Sequence, residues 1–334
     1  MAAPASSVKA VLTALTANSV VTVLKFIAFF LSGSGAMLSE AIHSTADTGN
    51  QLLLFIGLKR GSRERDDEFH YGYGGERFVF GLLSASGIFF IGCGVTLYHG
   101  IESLLHPKMP QINAVTFAVL GASAIIEGAA LIVAVRAVTQ HRGSMSRMRY
   151  IREKADPAAL AILLEDSAAV LGVILAAVGI VAAYLTQNPA FDAMGSIVVG
   201  LLLGFVAIHL VIENRELLMG KAVPDGVEEK FISIMRARPS VLNVHDVKTR
   251  QLTPEAYKLK AEVIFNSDFI MEKLEKIVTS EAGDDRARLR VIAANSIRIL
   301  SEEVDAIESA VRAEIPEAKH IDIEIDHLEQ AQSK

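Results

Sequence analysis

The chain has 334 residues, 51% of them hydrophobic, and a mean hydropathy of +0.38. That balance is rare in a soluble protein of this length, so a membrane class is the starting point. A net charge of −6, with no basic block interleaved with aromatics, argues against a nucleic-acid partner. The single cysteine, Cys93, excludes an intrachain disulfide and a cysteine-rich metal cluster and reads as a small buried hydrophobe. No Walker A or kinase signature is present, so ATP drive has no support.

Six apolar segments, at about 11–32, 36–58, 78–101, 113–138, 159–186 and 192–214, are each long enough to span a bilayer core. The first carries Asn18 and Lys25 on one face, and Lys25 is expected to pair with a neighbouring helix, with Glu127 of the fourth span as a candidate partner. The second carries Glu40, His43, Asp47 and Asn50 at i, i+3, i+7 and i+10, one face of a helix. His43 and Asp47 are one turn apart, so an imidazole nitrogen and a carboxylate oxygen can reach one point. That pair suits a borderline divalent cation such as zinc. The alternative is a polar seam that hydrogen-bonds to a neighbouring helix. In the fifth span the acids are Glu165 and Asp166. Adjacent helical residues point about 100° apart, so one of the two faces the second helix. The choice there lies between a metal ligand and an ion-pair partner.

The loops set the topology. KRGSRERDDEFHYGYGGER follows the second span and RGSMSRMRYIREK the fourth, and both are rich in Lys and Arg. The other connections, SGSG, a segment around HPKMPQ, and TQNPAF, are nearly free of basic residues. The positive-inside rule puts the two basic loops and both termini in the cytoplasm, which an even number of spans also requires.

Charge crowds into the last third, which places a domain boundary near Lys221. VEEKFISIMRAR is an amphipathic helix, and VLNVHDVKTRQL and EAYKLKAEVIF alternate as a hairpin around a TPE turn. One or two charged helices fill 268–315, and KHIDIEIDHL alternates as a last strand. The expectation is a membrane domain over 1–220 and a cytoplasmic α+β domain over 221–334, with helices on one face of a small sheet.

Several strings, taken together, resemble the cation diffusion facilitator family of zinc transporters over nearly the whole chain. They are the His43-x-x-x-Asp47 pair in the second of six spans, the FHYGYG loop and the tail. LLEDSAAVLGV at 163–173, NPAFDAMGSIVVG at 188–200 and the lengthened helical segment before HIDIEID are similar to the zinc transporter 9-like subgroup. The resemblance implies a homodimer, a ferredoxin-like, metallochaperone-like tail, and exchange of a divalent cation for protons by alternating access. It implies a tetrahedral site with two ligands from the second helix, matched by His43 and Asp47, and two from the fifth. The usual fifth-helix pattern is His-x-x-x-Asp. Aligned through Gly172, Glu165 falls on the His and Ala169 on the Asp, with Asp166 as the alternative acid. A second site in the loop is implied at Asp67 and His70, although Gly74 stands where a further His is usual, and a solvated turn is the better reading. A third, in the tail, is implied at His245, Glu262, Glu324 and Asp326, with carboxylates where histidines are frequent.

The reading is a multi-pass, non-enzymatic, homodimeric transporter that exports Zn2+ from the cytoplasm in exchange for protons, sited in the inner or plasma membrane if prokaryotic. Its partners are divalent metal ions, protons and the lipid bilayer, with Zn2+ as the transported ion and a possible regulatory one. The alternatives are a Mn2+ or Fe2+ transporter with a carboxylate-rich site, and a transport-deficient metal sensor or scaffold. Single cysteines introduced at positions 63 and 147 in a Cys93→Ser background should react only with reagents that enter from the cytoplasmic side. Labelling of position 63 from outside intact cells would reverse the topology.

Overall fold

The computed structural model describes residues 5–111, 114–139, 157–253, 256–278 and 285–327. The basic loop RGSMSRMRYIREK lies outside them. The chain divides into two compact units, one ending at Leu218 and one beginning at Met219.

The first unit is helical: α1 (Ala5–Ser32), α2 (Gly35–Gly61), α3 (Glu76–Leu105), α4 (Ala114–Val138), α5 (Pro157–Thr186) and α6 (Ala190–Met219). Helices α3 to α6 are each long and apolar enough to cross a bilayer. Helix α2 has 27 residues but interrupts its apolar surface with the polar set around His43. Gly33, in the left-handed region at φ +63°, makes the sharp turn between α1 and α2. Helix α3 changes to an i→i+5 pattern over Ile88–Val95 before returning to α.

A buried cluster ties four helices together: Ala28 of α1, Ala36 and Met37 of α2, Val119 and Leu120 of α4, and Val173, Ala176 and Ile180 of α5. Small residues let backbones approach, as in other membrane bundles. A Cβ on Gly179 of α5 would lie 3.2 Å from the Phe191 carbonyl oxygen of α6, so that crossing has little room to spare.

The second unit is α7 (Asp225–Arg236), β1 (Val241–Thr253), β2 (Ala256–Phe265), α8 (Ser267–Val278), α9 (Asp285–Glu314) and β3 (Ala318–Asp326). Strand order is β1-β2-β3, with β1 antiparallel to β2 and β3 parallel to it. A parallel neighbour needs a crossover, which α8 and α9 supply. Alternation in β2 buries Leu259, Ala261 and Val263 beneath Phe231 and Met235 of α7 and Ile307 and Val311 of α9. Each of these side chains larger than Ala261 contributes about 1.5–3 kcal/mol. The opposite face carries charge, paired as Lys258–Asp322 at 3.1 Å and Lys260–Glu324 at 2.5 Å.

Glu303 of α9 is buried between Lys273 Nζ at 2.7 Å and Arg238 Nη2 at 3.1 Å. Burial alone would raise its carboxyl, but the bonds from Lys273 and Arg238 outweigh it and hold the group at about 2. A carboxyl depressed in the fold stabilises above its unfolded value, near 4.5, and loses that contribution as pH falls toward 2. Glu303→Gln should therefore weaken the tail by on the order of 2–3 kcal/mol at neutral pH and leave it less sensitive between those two values. Hydrogen exchange in β2 and α9 of the full chain at pH 7 and pH 3 measures both effects.

Candidate metal centre

The polar face of α2 is fixed from its first turn. Ser34, in extended conformation, caps the helix by accepting a bond from the Met37 N–H at 3.1 Å. Asp192 of α6 then takes three donors from that end: Ser34 Oγ at 2.5 Å, the Gly35 N–H at 2.6 Å and the Ala36 N–H at 3.4 Å. A carboxylate at a helix N-terminus is favoured both by the exposed N–H groups and by the helix dipole. Asp192 thus anchors the helix that carries the candidate ligands.

Four polar levels follow along α2. Glu40 Oε2 accepts a bond from Lys25 Nζ of α1 at 2.9 Å, and the same ammonium donates to Glu127 Oε1 of α4 at 2.7 Å. The expected Lys25–Glu127 pair is therefore present, with Glu40 as a third member. Next comes His43, only 2% exposed, its Nε2 3.4 Å from Asp47 Oδ2. Neither imidazole nitrogen has a hydrogen-bond partner among the described residues. Asp47 is the third level. At the fourth, Asn50 Nδ2 donates to Glu165 Oε1 of α5 at 2.5 Å, while Ser84 Oγ of α3 donates to Asn50 Oδ1 at 2.5 Å.

The fifth helix thus meets this face through Glu165. Electrostatic repulsion links Asp47 to both Glu165 and Asp166. Ala169 is buried and apolar, so nothing there replaces a fourth ligand. At Gly172 a Cβ would run into Glu40 Oε1, so the Glu40 carboxyl lies directly against α5 there. His43, Asp47 and the two α5 acids form an open arrangement. Among the described residues only His245, Glu262 and Asp326 bring three ligand atoms within 4.8 Å of one another.

That tail group spans the sheet. His245 of β1 stands opposite Glu262 of β2, its Nδ1 3.5 Å from Glu262 Oε2 and its Nε2 3.1 Å from Asp326 Oδ2 of β3. A bulge follows His245, where Asp246 takes φ +45°, and bulges commonly re-aim the side chains around them. His245 Nε2 and Asp326 Oδ2 are buried without hydrogen-bond partners among the described residues. Glu324, expected with them, stands opposite Glu262 in register but pairs with Lys260 instead. A His with two carboxylates has the donor chemistry for a divalent cation.

In the loop between α2 and α3, Asp67 and His70 are exposed. The organising acid is their neighbour Asp66. It accepts from the Tyr73 hydroxyl at 2.7 Å, the Phe69 N–H at 2.9 Å and the Glu68 N–H at 3.1 Å. The Tyr73 hydroxyl first, then the Phe69 amide, hold Asp66 below the usual carboxylate range. Arg63 stacks 4.1 Å over the Tyr73 ring. Asp192 and Ser84 join the site from outside the expected set, and Asn50, expected on this face, takes a partner on each side. The signal for Asp192 was present: a single acid at the start of the last span, able to meet the SGSG turn at the same end of the bundle.

Residues 11–219 match the cation efflux transmembrane domain family. The chain is 37% identical to metal tolerance protein C4 of Arabidopsis thaliana, over 95% of this chain and 73% of that protein. It is 36% identical to the mouse proton-coupled zinc antiporter SLC30A9, mitochondrial, and 35% to the human one, again over 95% of this chain. It spans 58% of the length of each of these mammalian relatives.

Replacing Asp192 by Ala should cost about 0.5–2 kcal/mol, comparable to losing a side-chain acceptor at a helix N-terminus, and should loosen the first turn of α2. Thermal unfolding in detergent and hydrogen exchange over the first turns of α2 report the two effects.

Proposed function

The chain belongs to the cation efflux family, and from that membership we propose that it is a secondary-active transporter exporting a divalent cation, zinc first, in exchange for protons. It is an integral membrane protein by family and by its long apolar helices. We extend this to six spans, both termini cytoplasmic, a ferredoxin-like tail and a homodimer that alternates access between the two sides.

The observation that carries the reading is the buried His43–Asp47 pair on α2, with Glu165 of α5 brought onto the same polar face. In this proposal the cation is held by His43, Asp47 and Glu165, with Asp166 next to them. Imidazole and carboxylate hold a metal only when deprotonated, so protons and cation compete for the same atoms. Loading on one side and protonation on the other then couple the two fluxes. The open spacing suits this use, since a site that closes only around its cargo also opens to release it. Asn50 orients Glu165 from α2, and Ser84 orients Asn50 from α3.

His245, Glu262 and Asp326 are proposed as a second, resident site for the same class of ion, which would tie the three strands together. Carboxylate-rich donor sets favour harder cations, and this supports Mn2+ or Fe2+ as the alternative cargo. Ala169, at the position of a fourth ligand, supports the remaining alternative, a homologue that senses cation without moving it.

Flux in proteoliposomes under an imposed pH gradient, with a panel of metals, separates these readings. Asp47→Ala and Glu165→Ala should each abolish zinc flux, and His43→Ala nearly so. His43→Asp should retain some transport with a weaker preference for zinc. Asp166→Ala should be mild. A dead Asp166→Ala with an active Glu165→Ala would move the α5 ligand by one residue. No flux of any metal by the parent protein would leave the sensor reading.

A further inference from the structure

Lys25 is fully buried in the first unit, as is Glu40, and Glu127 is nearly so. One ammonium serves two carboxylates, so the ionised triad carries a net charge of −1. Glu40 Oε1 and Glu127 Oε2 have no hydrogen-bond partner among the described residues. Cohesion alone does not explain such a group. Replacing a buried ion pair with well-packed apolar residues is often neutral or stabilising, because two charges must be stripped of water to form it.

The position of the triad suggests what the charge does. Glu40 precedes His43 by three residues on the same face of α2, a rise of about 4.5 Å. Coulombic interactions connect Asp47 with Lys25, Glu40 and Glu127. In a surrounding of low dielectric a unit charge at such range is felt strongly by a divalent ion. Each carboxylate of the triad pulls a cation toward the His43 level, and the ammonium pushes it away. Gly172 keeps Glu40 wedged against α5, so this charge is held beside both helices of the candidate site.

We propose that Lys25, Glu40 and Glu127 are a fixed counter-charge that sets the affinity of the neighbouring His43–Asp47 site for its divalent cation. Glu40 and Glu127 make the site attractive enough to load. Lys25 keeps it weak enough to release. None of the three needs to touch the ion. This inference rests on the reading of the chain as a divalent-cation exporter.

The test is a charge series on the full-length protein, using zinc as probe in equilibrium binding and in proteoliposome flux. Glu127→Gln keeps an oxygen to accept from Lys25 and removes one negative charge. It should weaken zinc binding by about tenfold or more and raise KM. Lys25→Gln makes the triad more negative and should act in the opposite sense, with tighter binding, lower KM and lower kcat. The double variant Lys25→Gln/Glu127→Gln restores the net charge of −1 and should bind zinc more like the parent than either single variant does, since net charge at this range sets the interaction. A triad that only holds the helices together predicts otherwise: both single variants weaken binding and the double is no better. Single variants moving binding the same way, or leaving it unmoved, would overturn the inference while the transporter reading stands. A parent protein that neither binds nor moves a divalent cation would overturn both. Should Glu127→Gln fail to fold, Glu40→Gln removes the same charge, and the same weakening is expected.

Discussion

Hydrocarbon offers no hydrogen bonds, so polar atoms placed in a membrane helix must find partners within that helix or in a neighbouring one. The face of α2 obeys this constraint level by level. Asp192 receives its exposed N–H groups, Lys25 is shared between Glu40 and Glu127, and Ser84 and Glu165 take up both ends of the Asn50 amide. Each of these contacts ties α2 to a different neighbour, so the polar face also dictates which helices surround it. His43 departs furthest from this constraint, with both imidazole nitrogens left over, where Glu40 leaves one oxygen. In a medium where an unmade bond is costly, such a group is a functional candidate.

The second unit faces the opposite condition. Its sheet leaves one face charged, where exposed salt bridges need supply little. What gives the charged face its order is the register. The parallel pairing of β2 with β3 sets Lys258 and Lys260 near Asp322 and Glu324, and places Asp326 where His245 reaches it from β1. A slip of one residue would send each of these side chains to the other face and expose the core beneath α7 and α9.

Periodicity made much of this legible beforehand. Glu40, His43, Asp47 and Asn50 share one face because 3.6 residues make a turn, and the strand alternation of the tail fell where β1, β2 and β3 lie. Lys25 was readable as a paired charge because an unpaired one in a span is so costly. What could not be read were the partnerships across the fold. Glu165 and Asp166 are adjacent and chemically alike, and the rotation of α5 about its axis, which only packing sets, decides which of them meets Asn50. Asp192 is remote in sequence from Gly35 and becomes its cap only once α6 lies beside α2. Glu324 had the right register and the wrong neighbour, since Lys260 stands within reach on the same face.

The wide turn in α3 has a consequence of phase. Over Ile88–Val95 the helix bonds i→i+5, so it spends one residue more than an α-helix would on the same advance. Before that segment, Ser84 points to Asn50 on α2. Near its end Cys93 approaches Gly204, and beyond it Leu97 rests against Gly200, both on α6. A straight α-helix of this composition would hold one fixed angular relation between its two halves and would serve one partner at the expense of the other. The inserted residue shifts the second half by about 100° relative to the first. The length of the run, more than the identity of its apolar side chains, therefore sets the angle between the two contacts of α3. Removing any one residue from it would rotate Ser84 out of line with Asn50 or Leu97 away from Gly200.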